Sequence, residues 1–122
     1  MFQLTKEKVI KKIDRLMEEL ATIEKRIKDH EENAELAVKL GIARPSDDYA
    51  IREWRAAHDE TEANLRDAKT SLQYGKEDFR EINRVLPMVK QSFNDFRRVL
   101  DDTDRLEAAG RAAAQARFGK RS

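Results

Sequence analysis

Two histidines, His30 and His58, are the residues of this chain whose type could support chemistry. An imidazole binds divalent metals and changes charge near neutral pH. Glu62 follows His58 by four residues, a spacing that places both side chains on one face of a helix. A stable zinc site needs three or four converging ligands. We therefore interpret the histidines as a polar layer that fixes helix register, with these three residues as the candidates for a metal site or a pH-responsive switch.

The rest of the sequence lacks the motifs of enzymes. It contains no cysteine, no Gly-rich phosphate-binding loop and no nucleophile elbow. Charged residues make up 40% of the chain, and its carboxylates are interspersed with lysines and arginines, as on solvated helix faces. We predict that the protein is not an enzyme and binds no cofactor.

Two long helices are expected to position the histidines. Their apolar residues recur at alternating steps of three and four, in a first series over 9–37 and a second over 51–86. This period of 3.5 residues is typical of coiled-coil helices. The sequence therefore predicts an all-α fold in which helices at about 6–40 and 47–86 form a long antiparallel hairpin.

The ends of the hairpin helices carry capping signals. Thr5 and Ser46 are the expected N-caps, while Gly41 is placed to end the first helix. A loop centred on residue 44 would give a register in which the numbers of facing residues add to about 88. That register pairs His30 with His58 and places Trp54 opposite residue 34.

Pro87 is expected to interrupt the second helix, because proline inside a helix costs roughly 3 kcal/mol. The uninterrupted apolar series argues against Gly75 as an alternative break. A third helix after Pro87 either folds back on the hairpin, giving a coiled-coil-like three-helix bundle, or projects beyond it. We favour the bundle.

An apolar face continues in phase after Pro87. In a three-helix bundle this face would be buried inside the protein. In a projecting helix it would need a second chain to cover it. We predict that this face binds a partner and that the protein forms a homodimer. The face consists of Val89, Phe93, Phe96 and Leu100.

The end of the chain is basic. Residues 105–122 contain five Lys or Arg and one Glu, so they carry a net charge of +4, while the rest of the chain carries −3. We divide the chain into a helical domain, 1–109, and a basic tail, 110–122. Such a tail either remains solvated or contacts nucleic acid through its cations. The candidate contacts are Arg111, Arg117, Lys120 and Arg121.

The functional class follows from these features. We predict a protein–protein interaction, adaptor or assembly module, scaffold-like, that acts through helical surfaces. A nucleic-acid-associated protein that uses its basic tail is the alternative. No run approaches the roughly 20 apolar residues of a membrane span, and the N-terminal residues lack the apolar core of a signal peptide. We therefore expect a cytoplasmic protein.

Overall fold

The computed structural model describes residues 3–41, 45–75 and 78–118. Within these ranges it also describes the side chains, except at positions 45–48, 110, 111, 114, 115, 117 and 118. The described chain contains three helices and no strand. The helices are α1 (Lys6–Lys39), α2 (Pro45–Gln73) and α3 (Phe79–Phe118). The predicted all-α class, a hairpin with a third helix, is confirmed.

Helix α1 begins and ends where its capping residues predict. The Thr5 hydroxyl accepts a hydrogen bond from the backbone N–H of Lys8 at 3.2 Å. At the other end Gly41 adopts a φ of +72°, in the left-handed region that favours glycine. Helix α2 begins at Pro45, one residue before the predicted cap Ser46. Proline is favoured at the first helical position, where its missing N–H would have had no intrahelical partner.

Helices α1 and α2 form the predicted hairpin. Ion pairs join them, since Lys69 Nζ lies 2.7 Å from Asp14 Oδ1 and Arg55 Nη2 lies 2.6 Å from Glu31 Oε1. Asp14, early on α1, pairs with Lys69, late on α2, whereas Glu31, late on α1, pairs with Arg55, early on α2. Antiparallel helices require this inverse order. The buried residues of α1 all belong to the predicted apolar series: Val9, Ile13, Leu16, Leu20, Ile23, Ile27 and His30. Those of α2 do as well: Ile51, His58, Leu65 and Leu72.

The end of α2 corrects the sequence prediction. Instead of continuing to about residue 86, α2 ends at Gln73, and Gly75 follows with a φ of +68°. The third helix then begins at Phe79. Its first turn is capped by Asp78, whose Oδ1 accepts a hydrogen bond from the backbone N–H of Arg80 at 3.0 Å.

The predicted start of the third helix after Pro87 is also wrong in position, because Pro87 lies inside α3. The predicted folding back is nevertheless observed. Lys12 Nζ donates to Asn83 Oδ1 at 2.8 Å, and Lys90 Nζ forms an ion pair with Glu19. The first part of α3 therefore lies along α1, and the two helices run in the same direction there.

The chain forms two compact units, Met1–Lys90 and Gln91–Ser122. The first contains the hairpin and the start of α3, and the second contains the remainder of α3. In the second unit Gln91 Nε2 donates to Asp95 Oδ1 at 3.1 Å, one helical turn away. The boundary predicted between 109 and 110 rests on charge and stays a prediction. None of the described helices is long and apolar enough to cross a membrane.

Candidate functional site

Both histidines are buried in the hairpin. His30 is 7% exposed and His58 is 4% exposed. The His30 ring contacts the Trp54 indole edge to face, with ring centroids 5.3 Å apart and an angle of 71° between the planes. The predicted register placed Ala34 opposite Trp54, so the observed ring contact lies one helical turn earlier on α1. Such aromatic pairs contribute about 0.5–1.5 kcal/mol beyond the area they bury.

The two ring nitrogens of His58 have different surroundings. Nδ1 lies 2.9 Å from Asp59 Oδ1, within hydrogen-bonding distance. Nε2 lies 3.7 Å from Glu62 Oε2, too far for a hydrogen bond, and is buried without a hydrogen-bond partner. His58 and Glu62 thus bring two possible ligand atoms near each other, while His30 packs against an indole. The interpretation of the histidines as a structural layer stays a prediction.

Replacing His58 by leucine is expected to leave the stability unchanged or to raise the free energy of unfolding by about 1 kcal/mol. The substitution removes the unsatisfied Nε2, and Asp59 remains solvated because its side chain is 64% exposed. His30→Leu is the matched control, expected to lower the free energy of unfolding by about 1 kcal/mol through loss of the ring contact with Trp54. Urea denaturation of both variants measures the difference, and a destabilised His58→Leu would contradict the expectation.

An arginine on α2 binds two carboxylates of α1. Arg55 donates from Nη2 to Glu31 Oε1 at 2.6 Å and from Nε to Glu31 Oε2 at 3.2 Å. Its Nη1 donates to Glu24 Oε1 at 3.3 Å. Asp59, one turn further along α2, lies 3.8 Å from the same nitrogen. The two-point contact with Glu31 is the strong, orienting form of an arginine–carboxylate pair.

The Arg55–Glu31 pair shifts the titration of both groups. The hydrogen bond from Arg55 lowers the pKa of Glu31, an effect that partial burial opposes. The hydrogen bond to Glu31 raises the pKa of Arg55, with burial again opposing the shift. Sequence reasoning missed this cluster, although Glu24 and Glu31 lie two helical turns apart on α1 and so share a face. The predicted register faces Glu31 with residue 57, whereas the observed register brings Arg55 to Glu31.

The Glu31 contact should make stability depend on pH. A carboxylate with a lowered pKa in the folded state contributes stability above its unfolded pKa and loses that contribution as pH falls through the folded value. At neutral pH we expect Glu31→Gln to lower the free energy of unfolding by about 0.5–1 kcal/mol, a value limited by solvent screening. The difference in the free energy of unfolding between wild type and variant should disappear below about pH 4. Urea denaturation at both pH values tests this, with the neighbouring exposed Glu32→Gln as control; a gap that persists in acid would contradict it.

The predicted partner-binding face is only partly accessible. Phe93 is 3% and Leu100 is 0% exposed, whereas Val89 and Phe96 are half-buried. The assignment of these four residues to a partner interface stays a prediction. Other apolar side chains of α3 are more exposed than these four. In the first unit Val85 is 49% and Met88 is 68% exposed, and in the second unit Val99 is 48% and Leu106 is 75% exposed.

Little of the predicted basic tail is described. Helix α3 includes the backbone of Arg111 and Arg117, and their side chains lie outside the described residues. Lys120 and Arg121 also lie outside the described residues. The assignment of the tail as a nucleic-acid contact therefore stays a prediction.

A cleft that the sequence did not predict lies between α1 and the first part of α3. Its volume is about 270 Å³. It could not be anticipated from the sequence, because the prediction placed the start of the third helix after Pro87 instead of at Phe79. The cleft is lined by Lys12, Arg15, Leu16, Glu19, Asn83, Leu86, Pro87 and Lys90. The chain matches no protein-family model, no curated protein and no solved structure.

Proposed function

We propose that this protein is a non-enzymatic interaction module, an adaptor or assembly element that works in the cytoplasm through its helical surfaces. The observation that carries the proposal is the exposure of Val85 and Met88 on α3. They lie three positions apart and so project from one face of the helix. Large apolar side chains grouped on an exposed face mark protein-binding surfaces more often than scattered ones do.

A second apolar group supports the same class of function. Leu36, Val38 and Leu40 are between 55% and 64% exposed at the end of α1. A hairpin that served only to bury its own core would not need large aliphatic side chains there. Long helices that present side chains at fixed spacing are well suited to binding other helices.

We further propose that the protein acts as a homodimer whose interface includes Val85 and Met88. The burial of Phe93 and Leu100 leaves these two residues as exposed apolar side chains on the α3 segment that packs along α1. In a two-fold dimer the same face of each copy meets its counterpart, so an apolar face can bury itself without a different partner.

Sedimentation velocity over a wide range of protein concentration tests the homodimer. We expect a monomer–dimer equilibrium with a dissociation constant of roughly 1–100 µM, as for a small interface. The double variant Val85→Glu, Met88→Glu should be monomeric, since it would place four carboxylates in the interface. The matched variant Leu36→Glu, Val38→Glu should dimerise as the wild type does. A wild-type protein that stays monomeric throughout would contradict the homodimer.

The basic composition of residues 105–122 favours a second candidate, a nucleic-acid-associated protein. Contacts between cations and phosphates weaken steeply with salt. Binding of a duplex oligonucleotide should therefore fall as salt is raised, and should be lost when residues 110–122 are removed. No binding at low salt would eliminate this candidate.

A further inference from the structure

The cleft between α1 and α3 is closed at both ends by bonds between the helices. Lys12 Nζ donates to Asn83 Oδ1 at one end, and Lys90 pairs with Glu19 at the other. Each end residue lies seven positions from its counterpart on the same helix, which is about 10 Å at ~1.5 Å per residue. The cleft is therefore a short, bounded depression rather than a groove that runs along the whole bundle.

The floor of the cleft is apolar and its rim is basic. Leu16 and Leu86 are both 6% exposed and line it from opposite helices. Pro87 adds an apolar ring and cannot donate a backbone hydrogen bond to the carbonyl of Asn83. The lining contains three cations and one carboxylate, Glu19, so it has an excess of two positive charges.

Arg15 is the cation best placed to meet an external anion. Lys12 and Lys90 are already bonded across the cleft, whereas Arg15 has no ion pair among the residues that the structure describes. A guanidinium can bind a carboxylate through two parallel hydrogen bonds, which orients the bound group as well as attracting it.

The cleft has room for one anchoring side chain. At about 270 Å³ it lies just below the range of roughly 300–1,000 Å³ found for cavities that bury small-molecule ligands. Pockets that receive one anchoring side chain of a partner are common at the centres of protein interfaces. A partner side chain that enters this cleft must be apolar where it contacts the floor. An anionic group of the partner must lie next to it at the basic rim.

We propose that this cleft binds a helix of a partner protein that presents one large aliphatic side chain between two carboxylates. The aliphatic side chain contacts Leu16, Leu86 and Pro87, and a carboxylate one helical turn away binds Arg15. A helix fits because residues three or four positions apart project from the same face. This inference rests on the proposed interaction function and specifies the chemistry of its partner.

Three fluorescein-labelled alanine-rich helical peptides test the proposal against the full chain. The first has a leucine with glutamates four residues before and three residues after it. The second has lysines in place of the glutamates, and the third has alanine in place of the leucine. We expect fluorescence anisotropy to show binding of the first peptide at least 10-fold tighter than of the other two, about 1.4 kcal/mol.

Two protein variants locate the binding site. Arg15→Glu should weaken binding of the first peptide at least 10-fold. Arg84→Glu, a 77% exposed arginine of α3 that does not line the cleft, should change it less than 2-fold. In a methyl-labelled sample the peptide should shift the NMR signals of Leu16 and Leu86, while those of Leu36 stay in place.

Several results would overturn the proposal. Absence of binding up to about 1 mM peptide would do so, as would equal binding of the three peptides or an unchanged affinity in Arg15→Glu. Octanoate that displaced the first peptide at equal concentration would identify the occupant as a small amphipathic anion instead. If the peptide fails while the chain still self-associates through Val85 and Met88, only the cleft assignment is lost. Failure of both measurements removes the proposed function.

Discussion

Replacing Pro87 by alanine is expected to raise the free energy of unfolding by up to about 3 kcal/mol, the difference between the two residues inside a helix. Helix α3 extends from Phe79 to Phe118 with Pro87 in its interior. Alanine would restore the backbone hydrogen bond to the carbonyl of Asn83 and remove the clash of the proline ring with the preceding turn. If a helix instead began at Pro87, proline would already occupy a favourable position and alanine would bring no gain.

The other proline of the chain supplies the control. Pro45 is the first residue of α2, so Pro45→Ala should be neutral or lower the free energy of unfolding by less than about 1 kcal/mol. Urea denaturation followed by circular dichroism measures both variants. Equal effects of the two substitutions would show that Pro87 does not lie inside a continuous helix.

Truncating Leu72 to alanine should lower the free energy of unfolding by about 2–5 kcal/mol. Leu72 is 0% exposed although α2 ends one residue later, at Gln73. The loss in stability has two parts. One is the transfer free energy, from water to the core, of the carbon atoms that are removed, and the other is the cost of the cavity that remains. Because domains of this size are stable by only about 5–15 kcal/mol, the variant should be marginally folded.

Leu36→Ala is the matched control for Leu72→Ala, because Leu36 also lies in a helix but is 55% exposed. We expect this substitution to change the free energy of unfolding by less than about 0.5 kcal/mol. Trp54 is the only tryptophan, so its fluorescence reports on the hairpin while circular dichroism reports on all helices. A loss below about 1 kcal/mol for Leu72→Ala would contradict the packing described for the end of α2.

The hairpin was predictable because its determinants are local. The spacing of three and four identified each buried residue of α1, and Thr5 and Gly41 marked the ends of the helix. These signals lie within the helix that they define or directly beside its ends. They need no knowledge of how distant segments pack.

The second turn was not predictable from apolar spacing. Phe79 follows Leu72 by seven residues, or two helical turns, a spacing that also fits a continuous helix. Asp78 followed three residues later by Glu81 resembles a capping box and was the available signal. Proline was the more conspicuous helix breaker, but tertiary packing can hold it inside a helix.

The cleft was missed through this error, because it requires the alignment of α1 with α3. The Arg55 cluster requires the register between α1 and α2, which the sequence predicted only to within about one helical turn. Apolar periodicity defines which face of a helix is buried but not the axial position of its neighbour. Single charges flanking the buried face therefore could not be paired from the sequence.

The parallel alignment of α1 and α3 has a consequence for the order of folding. Arg55 and Glu31 are 24 residues apart, whereas the Lys12–Asn83 and Glu19–Lys90 contacts each span 71. Closing the longer loop from the unfolded chain costs about 1 kcal/mol more chain entropy. We expect the hairpin to form first and α3 to dock on it last. The cleft is then a late-formed and early-opening part of the first unit, and a partner helix that filled it would slow its opening.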